Sequence, residues 1–575
     1  MPSARLDPDH FLSPQKVFLG STSSVPSSCI SSIQVSPSAV CQVFFSSSNS
    51  TDTTTLASAD FDVDVRSGFL SPLPPLPKIS DTLYQPWEEA LENITKLISK
   101  DSHQVSRHAE IAKWKKYIAS ELPLLNMDSL RNEIVELRRA HLVLAFLTHA
   151  FVHSLSFNQQ PSLNHPQDVI IPLSLAIPLF GISRALDMPP VLTYADTVLY
   201  NWSFRDPALG FTSENIEIPT TFTRTDSERH FFKTSVLVEA LGPGCLKLMR
   251  SSLDEAFMED ETSVKRIANN LGRLAKQIDR ISQVLSEVRA GCDPRTFYWE
   301  IRPWFVGGRW KWEGVVSEES NQVMKQPLDE QSQWAVTDFG GPSAGQSTLI
   351  HAIDVFLGVD HHPNAQEITS GIHDEETFMQ RMSTYMPHHH RLFLKQLYRA
   401  CSTEPDHVNL IRSIVMNHQH QVFKSGPNNL KENYNLCIQS LENLRKTHTK
   451  IVSLFIICQK NSLPPSHPSA LNSINPSPST PNSDRESYHI KPHDSIHLTH
   501  QAEKSKQKNA EKLMASQSER CTENHHVDTI ANLGQQLTEI GNEIQKDTIL
   551  KGTGGTDLSK FLKRCKLRTT QAFLD

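Results

Sequence analysis

One histidine of the chain lies within a run of apolar residues at helical spacing. His448 takes one position of a stripe that recurs every three or four residues, at Leu441, Leu444, Val452 and Phe455. Such a residue is usually a core histidine with satisfied hydrogen bonds. Alternatively, it is the axial ligand of a haem iron, held where apolar side chains exclude water. Both interpretations stay open at this stage, and the absence of a C-x-x-C-H motif excludes covalent haem attachment.

A single arginine interrupts an aromatic segment, residues 297–305 with the sequence FYWEIRPWF. Burying a guanidinium costs several kcal/mol unless an anion meets it. Arg302 therefore needs a carboxylate, which belongs either to the protein or to a ligand. The planar fork of arginine suits a carboxylate, and the aromatic neighbours suit an aromatic amino acid. A structural ion pair with cation–π packing is the alternative.

Two glycine-rich segments have the composition of functional loops. Residues 341–345 (GPSAG) fit the G-x-S-x-G pattern of a serine hydrolase and precede an apolar helix, Thr348 to Leu357. That pattern requires a parallel sheet, yet only Trp334 to Thr337 is weakly strand-like. Glycines here would instead let the backbone approach a flat ligand closely. Residues 552–557 (GTGGTD) lack a Walker lysine and indicate either a hinge with a helix N-cap or a closing lid.

The run His388-His389-His390 has the composition of a metal site but not its geometry. Consecutive residues on a helix point in different directions, and no acid or cysteine completes a ligand set. We therefore expect a surface run. Arg445, one turn before His448, lies either on a solvated helix face or within reach of a haem propionate.

Composition excludes several classes of protein. The 575 residues include 56 basic and 63 acidic side chains, for a net charge of −7, which argues against a dedicated nucleic-acid or anionic-membrane surface. The nine cysteines form no C-x-x-C pair and indicate reduced thiols in an intracellular protein. No apolar run is long enough to span a bilayer. Collagen, transmembrane, zinc-ribbon and small secreted classes are excluded.

The elements that must position these residues are predicted to be helices. Val264 to Val288 carries apolar residues every three or four positions, and Leu137 to Phe151 is apolar on nearly every face. A third long helix is expected over residues 430–458. Strand patterns are almost absent, so the predicted fold class is all-α. A Ser/Thr/Pro-rich tail (residues 1–61) and a polar insert (residues 461–550) are predicted to be disordered.

Several of these strings, in this order, resemble the indoleamine 2,3-dioxygenase family. The resemblance extends over roughly residues 62–460 and 550–575. Its motifs are residues 194–202 (YADTVLYNW), Phe231-Phe232 with Ser235, residues 297–302, residues 343–347 (SAGQS), Tyr385-Met386-Pro387, Leu444-Arg445-x-x-His448 and residues 552–557.

The resemblance implies a fold and a set of site residues. A small helical domain (62–222) would cap a large helical haem domain (223–460), which the loop and helix of 551–575 would complete. His448 would be the proximal iron ligand, and Asp354 with Arg445 would lead from the helix to a haem propionate. Arg302 would pair with the substrate carboxylate. The other implied contacts are Phe297 on the indole ring, Thr553 on the amino acid head group, and a distal pocket lined by Tyr194, Val198, Phe231, Ser235, Ser343 and Ala344, with Ser343 also near the cofactor.

The resemblance also implies a reaction. Haem b, active in the Fe²⁺ form, would let both atoms of O2 enter the indole C2=C3 bond of L-tryptophan to give N-formylkynurenine. This is the first step of the kynurenine pathway towards NAD. No side chain is expected to act as acid or base. The protein would be a cytoplasmic monomer that needs an electron donor and contacts neither nucleic acid nor membrane. A haem-binding sensor without turnover, or a hydrolase using Ser343, are the alternatives.

Overall fold

Helices make up most of the chain that the computed structural model describes, namely residues 60–99, 104–154, 169–258, 260–315, 334–361, 378–403, 408–418, 430–465 and 558–574. All of these residues belong to one compact unit. The main helices are α1 (Gln85–Ser99), α2 (Gln104–Ser120), α3 (Ile134–His153), α4 (Leu173–Leu186), α5 (Asp226–Glu239), α6 (Gly242–Ala256), α7 (Glu261–Ser286), α8 (Thr348–Leu357), α9 (Phe378–Ser383), α10 (His388–Ala400), α11 (Leu410–Asn417), α12 (Leu430–Val452) and α13 (Leu558–Thr570).

The predicted all-α class is confirmed. The tail and the insert fall on residues outside the described ranges, apart from a few positions at their edges, and so does Thr553 with its glycine-rich loop. The division into domains at residues 62–222 and 223–460 stays a prediction.

Helices α7 and α12 pack along each other and form the centre of the core. Helix α7 begins with a capping box between Asp260 and Ser263. Cys437 of α12 donates its thiol to the Leu271 carbonyl of α7 at 3.0 Å. Each large apolar side chain buried here stabilises the fold by about 1.5–3 kcal/mol. The stripe predicted from the spacing is buried at Val264, Ile267, Leu271, Leu274, Ile278 and Ile281.

Helix α3 is buried from Leu137 to His153, as its apolar sequence predicts. Its histidines are core residues with satisfied hydrogen bonds. His149 donates through Nδ1 to the Trp304 carbonyl at 2.8 Å, and Nε2 accepts from the Leu192 amide at 3.3 Å. Burial lowers the pKa of His149 to about 3, so the ring is neutral. These contacts show what a structural histidine looks like in this fold.

A buried ion pair joins α3 to α1. Arg139 donates to both oxygens of Glu88, at 2.9 Å from Nε and 2.7 Å from Nη2, and a third donor, Nη1, contacts Thr220. Glu88 also accepts the Ile79 amide at 3.0 Å. Both side chains are less than a tenth exposed. The charges of Arg139 and Glu88 are therefore compensated by each other and by hydrogen bonds within the protein.

We expect Arg139→Ala to destabilise the protein by about 3–5 kcal/mol, because it leaves the Glu88 carboxylate buried without its counter-charge. Urea denaturation followed by circular dichroism measures this. The matched control is the double variant Glu88→Leu with Arg139→Met, which removes both charges at similar volume and should lose less than the single variant. A single variant as stable as the wild type would contradict the prediction.

The described strands are short and serve as connections. β4 (Gly308–Glu313) pairs antiparallel with β5 (Trp334–Phe339) and parallel with the two-residue β1 (Ile170–Ile171). Two-residue ladders join β2 (Ser203–Phe204) to β3 (Ile216–Glu217), and β6 (Ser402–Thr403) to β7 (Val408–Asn409). The weak strand signal at Trp334 to Thr337 is therefore confirmed. The sheet lacks the parallel βαβ series that a nucleophile elbow requires.

The three consecutive histidines do not form a surface run, and that prediction was wrong for one of them. His390 at the start of α10 is fully buried, packs edge-on against the Phe69 ring at 5.0 Å, and bonds through Nε2 to the Asp62 carbonyl at 3.3 Å. Burial lowers its pKa to about 4. His389 is exposed, and His388 is partly exposed and bonds to Asp187. Among the described residues, no group of three potential ligands could hold a metal ion.

Two further features bear on the composition argument. Within the described residues, no helix combines the length and apolar character that crossing a membrane requires. Five cysteines in that part of the chain are buried thiols outside any disulfide, and burial raises the pKa of Cys245 to about 12. They are Cys245, Cys292, Cys401, Cys437 and Cys565.

Candidate active site

A large cavity lies against the C-terminal half of α12. It holds about 1240 Å³ of space free of protein atoms, part of it open to solvent. Its wall is mostly apolar. Nine of the residues singled out from the sequence line it: Tyr194, Val198, Phe231, Ser235, Phe297, Arg302, Ser343, Ala344 and His448.

His448 differs from the core histidines of α3. It lies on the face of α12 that lines the cavity, and no described residue makes a hydrogen bond to either ring nitrogen. Burial lowers its pKa below the ordinary value, so the neutral ring is favoured. A neutral imidazole with a nitrogen available is the form that binds metal. Ser282 of α7 and Thr447 of α12, whose hydroxyls are 3.0 Å apart, fix this part of the helix.

One turn before His448, Arg445 forms a buried ion pair with Asp354 of α8. Its Nη2 lies 2.6 Å and 2.7 Å from the two carboxylate oxygens, and His361 Nε2 lies 2.8 Å from Oδ2. Burial raises the pKa of Asp354, but the charges of Arg445 and His361 outweigh it and hold that pKa below its usual range. Arg445 Nη1 is buried and has no hydrogen-bond partner among the described residues. A donor of this kind fits an anionic group that belongs to a ligand.

Arg302 supplies the charge in the cavity wall. It is 1% exposed, at the start of the short 3₁₀ turn Arg302–Phe305, and its Cζ lies 5.6 Å from the centre of the Tyr298 ring. Burial lowers its pKa, and the nearby Tyr298 opposes that shift. The described lining residues include no aspartate or glutamate. The wall therefore presents a guanidinium to the cavity, and a guanidinium favours an anionic ligand.

Aromatic rings from three elements meet in the same cavity wall as Arg302. Phe231 of α5 lies 4.7 Å from Phe297, and Phe297 lies 5.5 Å from Phe455, which follows α12. Ser235 sits one turn after Phe231 on the cavity side of α5. These rings form a surface on which a flat aromatic ligand could stack, with an interaction of about 0.5–1.5 kcal/mol per ring beyond burial.

Ser343 is not arranged as a nucleophile. It caps the 3₁₀ turn Ala344–Gln346, and its hydroxyl accepts the Gly345 amide at 3.2 Å. No described histidine bonds to this hydroxyl. Gly341 allows a close approach between two backbone segments of the protein rather than to a ligand. A Cβ at this position would lie 1.8 Å from the Phe305 carbonyl oxygen. The geometry therefore disfavours the serine hydrolase alternative.

Three π-helical turns border the cavity, and sequence reasoning did not find them. They are Ala195–Leu199, Phe297–Ile301 and Ser453–Ile457, and each contributes lining residues. Such turns are rare and concentrate at functional sites. Phe378 of α9 and Phe561 of α13, whose ring centres are 4.0 Å apart, were also missed. They follow stretches whose sequence carries no strong pattern, so periodicity gave no signal.

Behind the wall, a buried carboxyl holds one lining residue in place. Glu239 Oε1 accepts hydrogen bonds from the Tyr194 hydroxyl at 3.0 Å and the Ser347 hydroxyl at 2.6 Å, while Oε2 is buried without a partner. Burial raises the pKa of Glu239 to about 7, although the two hydrogen bonds oppose it. The helical spacing Phe232, Val236, Glu239 on α5 was the available signal that this carboxyl is buried.

The raised pKa of Glu239 makes stability depend on pH. The stability that the protonated Glu239 carboxyl contributes is fully present below the pKa of the unfolded state, near 4.5. It is lost as the pH rises through the folded-state pKa of about 7. Over that window we expect the unfolding free energy of the wild type, relative to Glu239→Gln, to fall by about 3 kcal/mol. Denaturant titrations of both proteins from pH 4.5 to pH 7.5 measure the difference. A difference that does not change with pH would contradict the prediction.

The comparison with known sequences decides the family. The sequence model described as "Indoleamine 2,3-dioxygenase" matches residues 57–572. The chain belongs to the indoleamine 2,3-dioxygenase family. Enzymes of this family are haem-dependent dioxygenases that act on small indole substrates.

Individual members of the indoleamine 2,3-dioxygenase family are moderately similar to this chain in sequence. "Indoleamine 2,3-dioxygenase" of Saccharomyces cerevisiae is 30% identical over 401 residues, covering 69% of this chain and 79% of the yeast protein. "Indoleamine 2,3-dioxygenase 1" of Rattus norvegicus is 29% identical, covering 69% and 84%. "6-hydroxytryptophan 2,3-dioxygenase" of Fusarium equiseti is 27% identical, covering 70% and 85%. The relatives' names differ in substrate, so membership does not fix which indole this protein uses.

Proposed function

We propose that this protein is a haem dioxygenase that converts L-tryptophan and O2 to N-formylkynurenine. The single observation that carries the proposal is one mostly apolar cavity with His448 and Arg302 in its wall. His448 is suited to bind an iron ion, and Arg302 is suited to pair with the carboxylate of an amino acid. Family membership supports the dioxygenase chemistry.

The residues present fit a haem. His448 would supply one nitrogen ligand, and a porphyrin would bring the remaining in-plane ligands with the iron. We propose that His448 is the protein's iron ligand. Arg445 would hold a propionate through its buried Nη1, while its Nη2 is held by Asp354.

The chain's residues would bind and orient the substrate. When bound, haem supplies the iron chemistry that lets both atoms of O2 enter the indole C2=C3 bond. Arg302 would hold the tryptophan carboxylate, and Phe231 with Phe297 would pack on the indole ring. Thr553, outside the described residues, would contact the amino acid head group from the closing loop. Fixing the substrate in this way lowers the entropic barrier, and an apolar wall keeps water out.

We propose no acid–base role for the lining residues that the structure describes. The described lining residues include no carboxylate. Burial and the charge of Glu239 raise the pKa of Tyr194 well above its ordinary value, so its phenol stays protonated. Ser235 and Ser343 are weak acids. The chain would position the substrate and exclude water, and the cofactor would supply the chemistry.

The second candidate is a haem-binding protein without turnover, and Arg302 argues against it because haem storage needs no guanidinium in the substrate part of the cavity. The experiment is an absorption spectrum of the purified, reduced protein with and without CO, followed by L-tryptophan under ¹⁸O2. The proposal expects a haem spectrum and N-formylkynurenine with two labelled oxygens. A haem spectrum without product would favour the second candidate, and no haem spectrum would contradict both.

A further inference from the structure

A second, polar cleft lies away from the candidate active site, between α1, α3 and the segment that leads into α5. It holds about 940 Å³ of space free of protein atoms, part of it open to solvent. Four cationic side chains line it, against two carboxylates: Lys78, Arg139, Arg224 and Arg229 against Glu88 and Glu92. The cleft therefore carries a net charge of 4 − 2 = +2, in a protein whose overall charge is negative.

The two carboxylates already have partners. Glu88 is held in the buried ion pair with Arg139. Glu92 lies 2.6 Å from Lys96, and Lys78 is farther from it, at 3.8 Å. Glu88 is thus paired with Arg139 and Glu92 chiefly with Lys96, and among the described residues neither carboxylate forms an ion pair with Arg224 or Arg229.

Arg224 has no acidic partner within ion-pair distance among the described residues. Its Nε and Nη2 contact only the Thr95 hydroxyl of α1, at 3.2 Å and 2.9 Å. A half-buried guanidinium that meets only a neutral hydroxyl keeps most of its capacity to bind an anion, because its other donors are uncommitted. Arg229, by contrast, is paired with Asp226 at 3.2 Å.

The backbone holds Arg224 in an unusual conformation. Its φ of +57° lies in the left-handed region, which is unfavourable for a residue other than glycine and persists only where the surroundings impose it. Arg229 Nη1 donates to the Arg224 carbonyl at 2.6 Å. Glu228 fixes the preceding turn by accepting the Phe222 and Thr223 amides at 2.9 Å and 2.7 Å. The arginine is therefore presented to the cleft by a rigid, strained turn.

We propose that this cleft is an oxyanion-binding site whose main ligand is the Arg224 guanidinium, with Lys78 and Arg229 beside it. The chemical class is a phosphate or carboxylate group on a small molecule, which the flat fork of arginine recognises through two hydrogen bonds. The site is independent of the haem cavity and of the function proposed for it.

Isothermal titration of the full-length protein tests this, with inorganic phosphate and with succinate at constant ionic strength. We expect saturable binding of one equivalent of at least one anion, weakened tenfold or more in Arg224→Gln. Arg205→Gln is the matched control, because it removes the same charge from an exposed arginine paired with Glu217 and should leave the affinity unchanged. A response to phosphate alone assigns phosphate esters as the class, and a response to succinate alone assigns carboxylates.

Two results would overturn the proposal. One is no saturable binding of either anion to the wild type, and the other is Arg224→Gln binding like the wild type, as it would if the anion went to Arg302. If Arg224→Gln does not fold, by circular dichroism and thermal melting, Lys78→Gln decides. That variant leaves the Thr95 contact intact, and we expect it to weaken binding severalfold. An unchanged affinity in Lys78→Gln would equally overturn the site.

Discussion

Replacing His448 by alanine is expected to abolish stoichiometric haem binding. The described part of the chain offers the iron no group of three ligands, and His448 is the one imidazole in the cavity wall with no hydrogen-bond partner there. Without it, the remaining apolar wall and Arg445 can hold only the macrocycle. The measurement is a haem titration of the purified protein followed by the Soret band, in the oxidised and the reduced forms.

The control separates loss of the ligand from loss of the fold. His448→Gly leaves space for a free imidazole, so added imidazole should restore a spectrum close to that of the wild type. His149→Asn gives a comparison at a buried histidine that bonds only to backbone groups and should affect stability rather than the Soret band. A wild-type spectrum in His448→Ala would show that another residue binds the iron, and the proposed function would lose its main support.

Replacing Arg302 by alanine is expected to raise the KM for L-tryptophan about a hundredfold while the haem spectrum stays that of the wild type. The reason is the loss of a charge-assisted pair with the substrate carboxylate in a buried site, worth about 2–5 kcal/mol, where 1.4 kcal/mol corresponds to a factor of ten. Steady-state kinetics at saturating O2 gives KM and kcat separately.

Tryptamine gives the matched control for Arg302, because it has the indole ring and the amine but no carboxylate. The wild type and Arg302→Ala should therefore use tryptamine with similar KM values, whereas their KM values for tryptophan diverge. Arg302→Lys keeps the charge but not the fork and should fall between the two for tryptophan. Equal losses on both substrates would show that Arg302 supports the cavity wall rather than the carboxylate.

Local sequence patterns were sufficient for the helices. The three- and four-residue spacing of Val264 to Ile281 predicted α7, and the continuous apolar sequence from Leu137 to Phe151 predicted a buried α3. These predictions succeeded because a helix needs only its own sequence to define the face that it buries. The nine lining residues were singled out from motifs and a family resemblance, and the structure brings them to one cavity, although their roles remain proposals.

Electrostatic environments were not readable in advance. His390 belongs to a histidine run that looks exposed in sequence, yet Phe69 and the Asp62 carbonyl, more than 300 positions away, surround it. The pKa of Glu239 is likewise set by other segments, because burial raises it to about 7 while hydrogen bonds from Tyr194 and Ser347 oppose that shift. A pKa is set by all groups within a few ångströms, whatever their distance along the chain.

The sequence alone determined that the chain forms long amphipathic helices, that one of them carries an imidazole in an apolar stripe, and that an arginine lies in an aromatic segment. Only the tertiary structure decided three points about the described residues: His448 lacks the hydrogen bonds of a core histidine, Arg445 keeps a buried donor without a protein partner, and Arg224 contacts the Thr95 hydroxyl instead of forming an ion pair. The physical reason is that helical periodicity is a property of neighbours in sequence. Whether a polar group is satisfied depends on neighbours in space, which only packing brings together.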